Sequence, residues 1–214
     1  MSEKLIAYSL DVVPRIVDSQ NVTLLHGGGT EEPSIFVRAD THSFIQRPYD
    51  KTYIAHWNVM KKAGLPVMQD LLINPKRGFM LLTDIKSDGS EVYGKELAYC
   101  LRIPDLTPRE RPRTSIDKLF LDLTDKETFP LIEQAADSLV HRANSHDIQL
   151  PSDDPMELLI HPDGTWELVI LDLALARTNP VQSSFDREQR TIQNDLYKEE
   201  FLRHIKYIRG YLDK

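Results

Sequence analysis

A chain of 214 residues, 41% apolar and 28% charged, has room for one sizeable domain or two small lobes, and its composition is that of a folded protein. A net charge of −7 sets the surface as a whole against nucleic acid and anionic membrane. There is no leader pattern over Met1 to Leu10, no apolar run near the ~18 residues of a spanning helix, and one cysteine, Cys100, so a cytoplasmic protein without nucleic-acid or membrane partners is expected.

The first third reads as strands. Val22 to Leu25 is a short β-prone run that stops at Gly27-Gly28-Gly29, and Ser34 to Arg38 and Ser43 to Gln46 flank the turn-like Ala39-Asp40-Thr41. A helix is predicted over Asp50 to Ala63. Asp50 caps its start, Ile54, Trp57 and Met60 share one stripe, and Gly64 with Pro66 ends it. Val67 to Ile73 and the continuously apolar Phe79 to Thr83 are two further strands, and both Trp57 and Trp166 fit core positions.

From Lys86 to Thr114 the texture is that of a connector with one short helix, punctuated by Gly89, Pro104, Pro108 and Pro112. Its arginines, Arg102, Arg109, Arg111 and Arg113, read as a solvated linker. Helices are predicted over Ser115 to Asp122 and Phe129 to Ser145, the second with Ile132, Ala135, Ala136, Leu139, Val140 and Ala143 on one face. Leu158 to Ile160, the turn His161-Pro162-Asp163-Gly164 and Trp166 to Leu171 form a hairpin signal. A long last helix follows, with Ile192, Leu196, Phe201, Ile205, Ile208 and Leu212 at helical spacing.

Chemistry concentrates in Leu150-Pro151-Ser152-Asp153-Asp154-Pro155-Met156-Glu157-Leu158-Leu159-Ile160 and in Asp172-Leu173-Ala174-Leu175-Ala176-Arg177. His141 and His146 are five apart, on different faces of a helix, and no H-E-x-x-H, C-x-x-C or G-x-S-x-G pattern occurs, which leaves zinc and serine-hydrolase chemistry without support. The two windows resemble the end of a protein-kinase catalytic loop and the D-F-G-L-A-R segment that follows its hairpin. The order helix, loop, hairpin, Asp is also the kinase order. The resemblance implies an α+β fold of compact bilobal kinase type: a five-stranded N-lobe over 1–83, a hinge and connector over 84–114, and a reduced helical C-lobe over 115–214. In size it is similar to the small atypical kinases related to lipopolysaccharide and tRNA-modification kinases.

Carried over residue by residue, the resemblance puts Ser152 where the catalytic Asp belongs and Glu157 where the metal-binding Asn belongs, and keeps Asp172 as the metal-binding Asp. Serine does not accept a substrate proton as a carboxylate does, so Asp153 or Asp154 would have to supply the base. Glu157 and Asp172 would hold Mg2+. The glycines Gly27, Gly28 and Gly29 would cover the phosphates of ATP, with Gln46 or Arg47 in place of the third-strand Lys. No glutamate stands in the Asp50 to Ala63 helix to pair with such a Lys, and no A-P-E follows Ala176. Three readings follow. The first is a degenerate, pseudokinase-like binding or regulatory module that takes a nucleotide and a protein partner. The second is an active atypical ATP-dependent kinase, and the third an unrelated α+β interaction domain.

Overall fold

The computed structural model describes residues 22–24, 35–39, 42–69, 71–76, 78–86, 88–94, 115–125 and 127–213. The glycine run Gly27 to Gly29, Cys100 and the arginines Arg102, Arg109, Arg111 and Arg113 lie outside the described residues. The chain divides into two compact units, Met1–Thr52 with Met68–Ser87, and Tyr53–Val67 with Asp88–Lys214.

In the first unit the strands are β1 (Val22–Leu24), β2 (Ile35–Ala39), β3 (His42–Pro48), β4 (Leu71–Asn74) and β5 (Phe79–Thr83). They form one antiparallel sheet of five strands in the order β1-β2-β3-β5-β4. The apolar run Phe79 to Leu82 explains why β5 is interior. All four residues are buried, and the strand pairs with β3 on one side (Phe44↔Thr83 to Pro48↔Phe79) and β4 on the other (Leu71↔Leu82 to Asn74↔Phe79). Gly78, at φ 74°, supplies the left-handed residue of the β4–β5 turn.

Val67 to Ile73 does not form one strand as expected. Val67 makes an isolated parallel bridge to Ile170 in the second unit, and the β4 ladder starts only at Leu71. The Ile170 N–H donates to the Pro66 carbonyl at 2.8 Å.

The helix α1 (Lys51–Lys62) starts where Asp50 Oδ1 accepts the Thr52 N–H at 2.7 Å. It ends in a Schellman motif: Gly64 at φ 72°, with Leu65 N–H donating to the Met60 carbonyl and Gly64 N–H to that of Lys61, both at 3.0 Å. Its buried residues are Tyr53 and Met60. Ile54 and Trp57 are only half-buried, and Lys61 Nζ stands 4.4 Å from the Trp57 ring centroid. Trp166 is half-buried too, so neither tryptophan is the core residue expected.

The second unit carries a three-stranded antiparallel sheet of β6 (Glu91–Tyr93), β7 (Glu157–Ile160) and β8 (Trp166–Val169), in that order. β6 falls in the stretch expected to be a connector. A three-residue strand has too little pattern to read locally; it is fixed by its register on β7, Glu91↔Ile160 to Tyr93↔Leu158. Tyr93 then stacks on Phe120 of α2 (Ser115–Leu123) with ring centroids 4.3 Å apart, and its hydroxyl donates to the buried Asp117 at 2.7 Å.

Helix α3 (Phe129–Ser145) buries Ile132, Ala136, Leu139, Val140 and Ala143, close to the stripe expected, against α4 (Ser184–Leu212). On α4 the expectation holds for Phe201, Ile205, Ile208 and Leu212 and fails for Ile192 and Leu196, which are 42% and 50% exposed. Continuing the buried stripe backwards from Phe201 at 3.6 residues per turn reaches Asn194 and Arg190, and these two polar residues are the ones buried.

Candidate functional site

The Leu150 to Arg177 window begins where α3 ends. Ile148 N–H donates to the Ala143 carbonyl at 2.9 Å and Asp147 N–H to that of Asn144 at 3.1 Å, another Schellman ending, with Asp147 at φ 56° in the place glycine usually takes. Arg187 holds the Asp147 carboxylate through two hydrogen bonds of 2.6 and 2.9 Å, and this guanidinium keeps Asp147 below the usual carboxylate range. Gln149 and Arg177 exchange backbone hydrogen bonds of 3.0 Å in both directions, closing the base of the window.

Two buried side chains of α4 hold that base. Asn194 Oδ1 accepts the Leu150 N–H at 2.8 Å, while its amide donates to the Ile148 carbonyl at 2.8 Å and to Asn144 Oδ1 at 2.7 Å. Arg190 Nη1 donates to the carbonyls of Asp147 at 2.7 Å and Asn179 at 2.8 Å, and its Nη2 to Asp186 Oδ2 at 3.0 Å. The Arg190 hydrogen bond is the largest of the effects that hold Asp186 below its ordinary range. One arginine thus satisfies carbonyls before and after the window, which a buried guanidinium needs in return for losing water. Sequence reasoning missed both residues, because polar positions on a helix read as surface.

Past the base, Ser152 and Asp153 are exposed, Asp154 is half-buried at φ 46°, and Pro155, Met156 and Glu157 are buried. Glu157 opens β7 opposite Val169 of β8, and Asp172 follows three residues later. The Glu157 carboxylate lies over Gly94, where a Cβ would stand 1.5 Å from its Oε2, so only glycine fits beneath it. Asp172 is half-buried, and its Oδ1 accepts the Ala174 N–H at 3.1 Å. Among the described residues no three His, Cys, Asp or Glu side chains converge on a point that would hold a metal ion.

Helix α1 grips the main chain on either side of Asp172. The Tyr53 hydroxyl donates to the Leu171 carbonyl at 3.2 Å, and His56 Nδ1 lies 2.7 Å from the Leu173 carbonyl. A carbonyl only accepts, so Nδ1 carries the proton. These partners too were missed, since a Tyr and a His on a helix carry no spacing signal by themselves.

Beside the hairpin turn, His161 Nδ1 stands 3.0 Å from Asp88 Oδ2 and 2.9 Å from the buried Ser90 Oγ, with Nε2 3.4 Å from Glu167. Burial works against the imidazolium, but the hydrogen bond and charge of Asp88, then those of Glu167, outweigh it and raise the His161 pKa. Burial likewise works against the Asp88 carboxylate, and the hydrogen bonds from Ser90 and His161 outweigh it and lower that pKa. The turn itself is built as expected: Gly164 N–H donates to the His161 carbonyl at 2.9 Å, and Asp163 Oδ1 accepts from the Thr165 N–H at 2.9 Å.

In the first unit, Gln46 pairs with Ile35 and Leu81 and Arg47 with Met80; both are half-buried, and as strand neighbours they point to opposite faces. No described helix is long and apolar enough to cross a membrane.

No family model matches the chain, and no curated protein matches it. Among solved structures it is similar to the Helicobacter pylori proinflammatory kinase CtkA, at 14% identity and a TM-score of 0.44, over 83% of this chain. The chain spans 65% of the length of that protein. It is also similar to the choline kinase LicA from Streptococcus pneumoniae, at 12% identity and a TM-score of 0.41, over 91% of this chain and 80% of that one. LicA in complex with AMP matches over the same shares of the two chains at a TM-score of 0.36.

Proposed function

We propose that the chain is a bilobal kinase-fold protein with a degenerate catalytic loop, working as a nucleotide-binding regulatory module rather than as a phosphotransferase. The observation that carries this reading is the run from α3 through the Ser152–Asp154 loop and the β7–β8 hairpin to Asp172, with its base closed by the Gln149–Arg177 bridge. A kinase needs this order to bring a base, a metal ligand and the phosphates together. Here the position of the base is taken by Ser152, an exposed hydroxyl.

Residues 1–83 form the N-lobe in this reading, 84–114 the hinge and connector, and 115–214 the C-lobe. Gly27 to Gly29 and Gln46 or Arg47 meet the phosphates of ATP. Mg2+ commonly takes one or two carboxylates and completes its shell with phosphate oxygens and water, a donor set that Glu157 and Asp172 match in type. The ion, when bound, neutralises phosphate charge. Asp172 offers the ligand, and Tyr53 and His56 fix the main chain that carries it.

A thermal-shift titration with ATP, with and without Mg2+, tests the reading. Ligand at 100 times its dissociation constant stabilises by about 2.7 kcal/mol, which for a chain of this size raises the Tm by roughly 5–10 °C. No shift under either condition contradicts nucleotide binding. Single-turnover phosphoryl transfer that is lost in Asp154→Ala would contradict degeneracy and make Asp154 the base.

A further inference from the structure

The amino-terminal half of α4 presents an apolar stripe to solvent. Phe185, Ile192 and Leu196 are 67%, 42% and 50% exposed. Steps of seven and four residues, at 100° each, bring them within about 40° of one another around the axis, and they extend over about 16 Å along it. The helix is anchored independently of this face: Ser183 Oγ accepts the Asp186 N–H at 3.1 Å at its start, and Arg190 and Asn194 on the opposite side hold the base of the window.

One flank of the stripe is acidic. Glu188, Asp195 and Glu199 are exposed there, and none has an ion-pair partner among the described residues. Of the three cations of the same stretch, Arg190 is buried, and the other two are engaged elsewhere, Arg187 with Asp147 at 2.6 Å and Lys198 with Asp137 at 2.6 Å. An apolar stripe edged by three exposed carboxylates that make no direct ion pair among the described residues selects its occupant by charge. A second copy docked antiparallel through this face would set carboxylates beside carboxylates, and an anionic lipid surface would be repelled.

We infer that this face of α4, formed by Phe185, Ile192 and Leu196 with Glu188, Asp195 and Glu199, docks a cationic amphipathic helix of a partner protein. The partner lays apolar residues at i and i+7 on the stripe and places Lys or Arg along the acidic edge, so that anchoring comes from the apolar side chains and register from the charges. The proposal does not rest on nucleotide binding.

The probe is a fluorescent Leu/Lys amphipathic helical peptide of about 18 residues, with a Leu/Glu peptide of the same apolar face as its counterpart, titrated with the full chain. The Leu/Lys peptide is expected to bind at least about tenfold tighter than the Leu/Glu one. Ile192→Ser/Leu196→Ser and, separately, Glu188→Gln/Asp195→Asn each weaken it about tenfold. Removal of equal charge elsewhere, Asp122→Asn/Glu127→Gln, leaves it unchanged. All the substituted side chains are exposed, so melting curves should match the wild type, and the charge variants keep the test valid if the serine variant is unstable. Equal binding by all variants, or no binding, overturns the proposal. So does a dimer in sedimentation that Ile192→Ser/Leu196→Ser dissociates, which assigns the face to a second copy.

Discussion

His56 on α1 donates its Nδ1 proton to the Leu173 carbonyl at 2.7 Å, and Tyr53, one turn earlier, reaches the Leu171 carbonyl, so one helix holds the backbone on both sides of Asp172. A net hydrogen bond contributes about 0.5–1.5 kcal/mol. His56→Ala should therefore lower stability in urea by about that amount. In the proposed function it should also weaken the Mg2+ dependence of ATP binding more than ATP binding without metal. An equal effect on both would make His56 a purely structural contact.

Arg190 should be the most sensitive polar residue of α4. Its removal strands the carbonyls of Asp147 and Asn179 and leaves Asp186 short of its main partner. Arg190→Ala is expected to destabilise by about 3 kcal/mol or more in urea unfolding, and Arg190→Lys to recover less than half, because an ammonium cannot reproduce the planar fork. A change below about 0.5 kcal/mol for Arg190→Ala, the usual range for a surface substitution, would contradict the clamp.

Gly94 and Glu157 should be coupled. With Oε2 1.5 Å from the site of a Cβ, Gly94→Ala must displace a buried carboxylate, and overpacking of this kind costs about 1–3 kcal/mol. In a Glu157→Ala background the same substitution meets no side-chain oxygen, and its effect should fall by at least half. Additive effects in the double-mutant cycle would show that the two residues do not share this space.

The His161 cluster gives stability a pH dependence of known sign. A raised histidine pKa stabilises the fold fully below the ordinary value of 6.5, and the contribution is lost as pH rises through the higher folded value. The lowered Asp88 pKa contributes above its ordinary 3.8 and is lost as pH falls through the lower folded value. The clasp is therefore strongest between about pH 4 and 6.5. With half-exposed partners it is worth about 0.5–1 kcal/mol. His161→Gln should flatten the fall in stability between about pH 6 and 8; an unchanged slope would remove His161 as its source.

Much of the fold was legible where a pattern was long or chemically pure. Phe79 to Thr83 needed only its apolar continuity, α3 its period, and the hairpin its Asp163-Gly164 turn. β6 was not, because Glu91–Tyr93 is a strand only by virtue of the edge that β7 offers it. Ile192 and Leu196 misled because the buried face of α4 changes from apolar to polar at Asn194 while keeping its period. In the Leu150 to Arg177 window, the order of loop, hairpin and Asp172 was legible. The residues that hold them, Tyr53, His56, Arg190 and Asn194, act through carbonyl and amide groups that no side-chain pattern records.

The central claim is tested most directly by calorimetric titration of ATP into the wild type and into Asp172→Asn, each with and without Mg2+. Saturable binding that Mg2+ tightens in the wild type but not in Asp172→Asn is the expected result. Absence of saturable binding to the wild type at millimolar ATP would contradict the account.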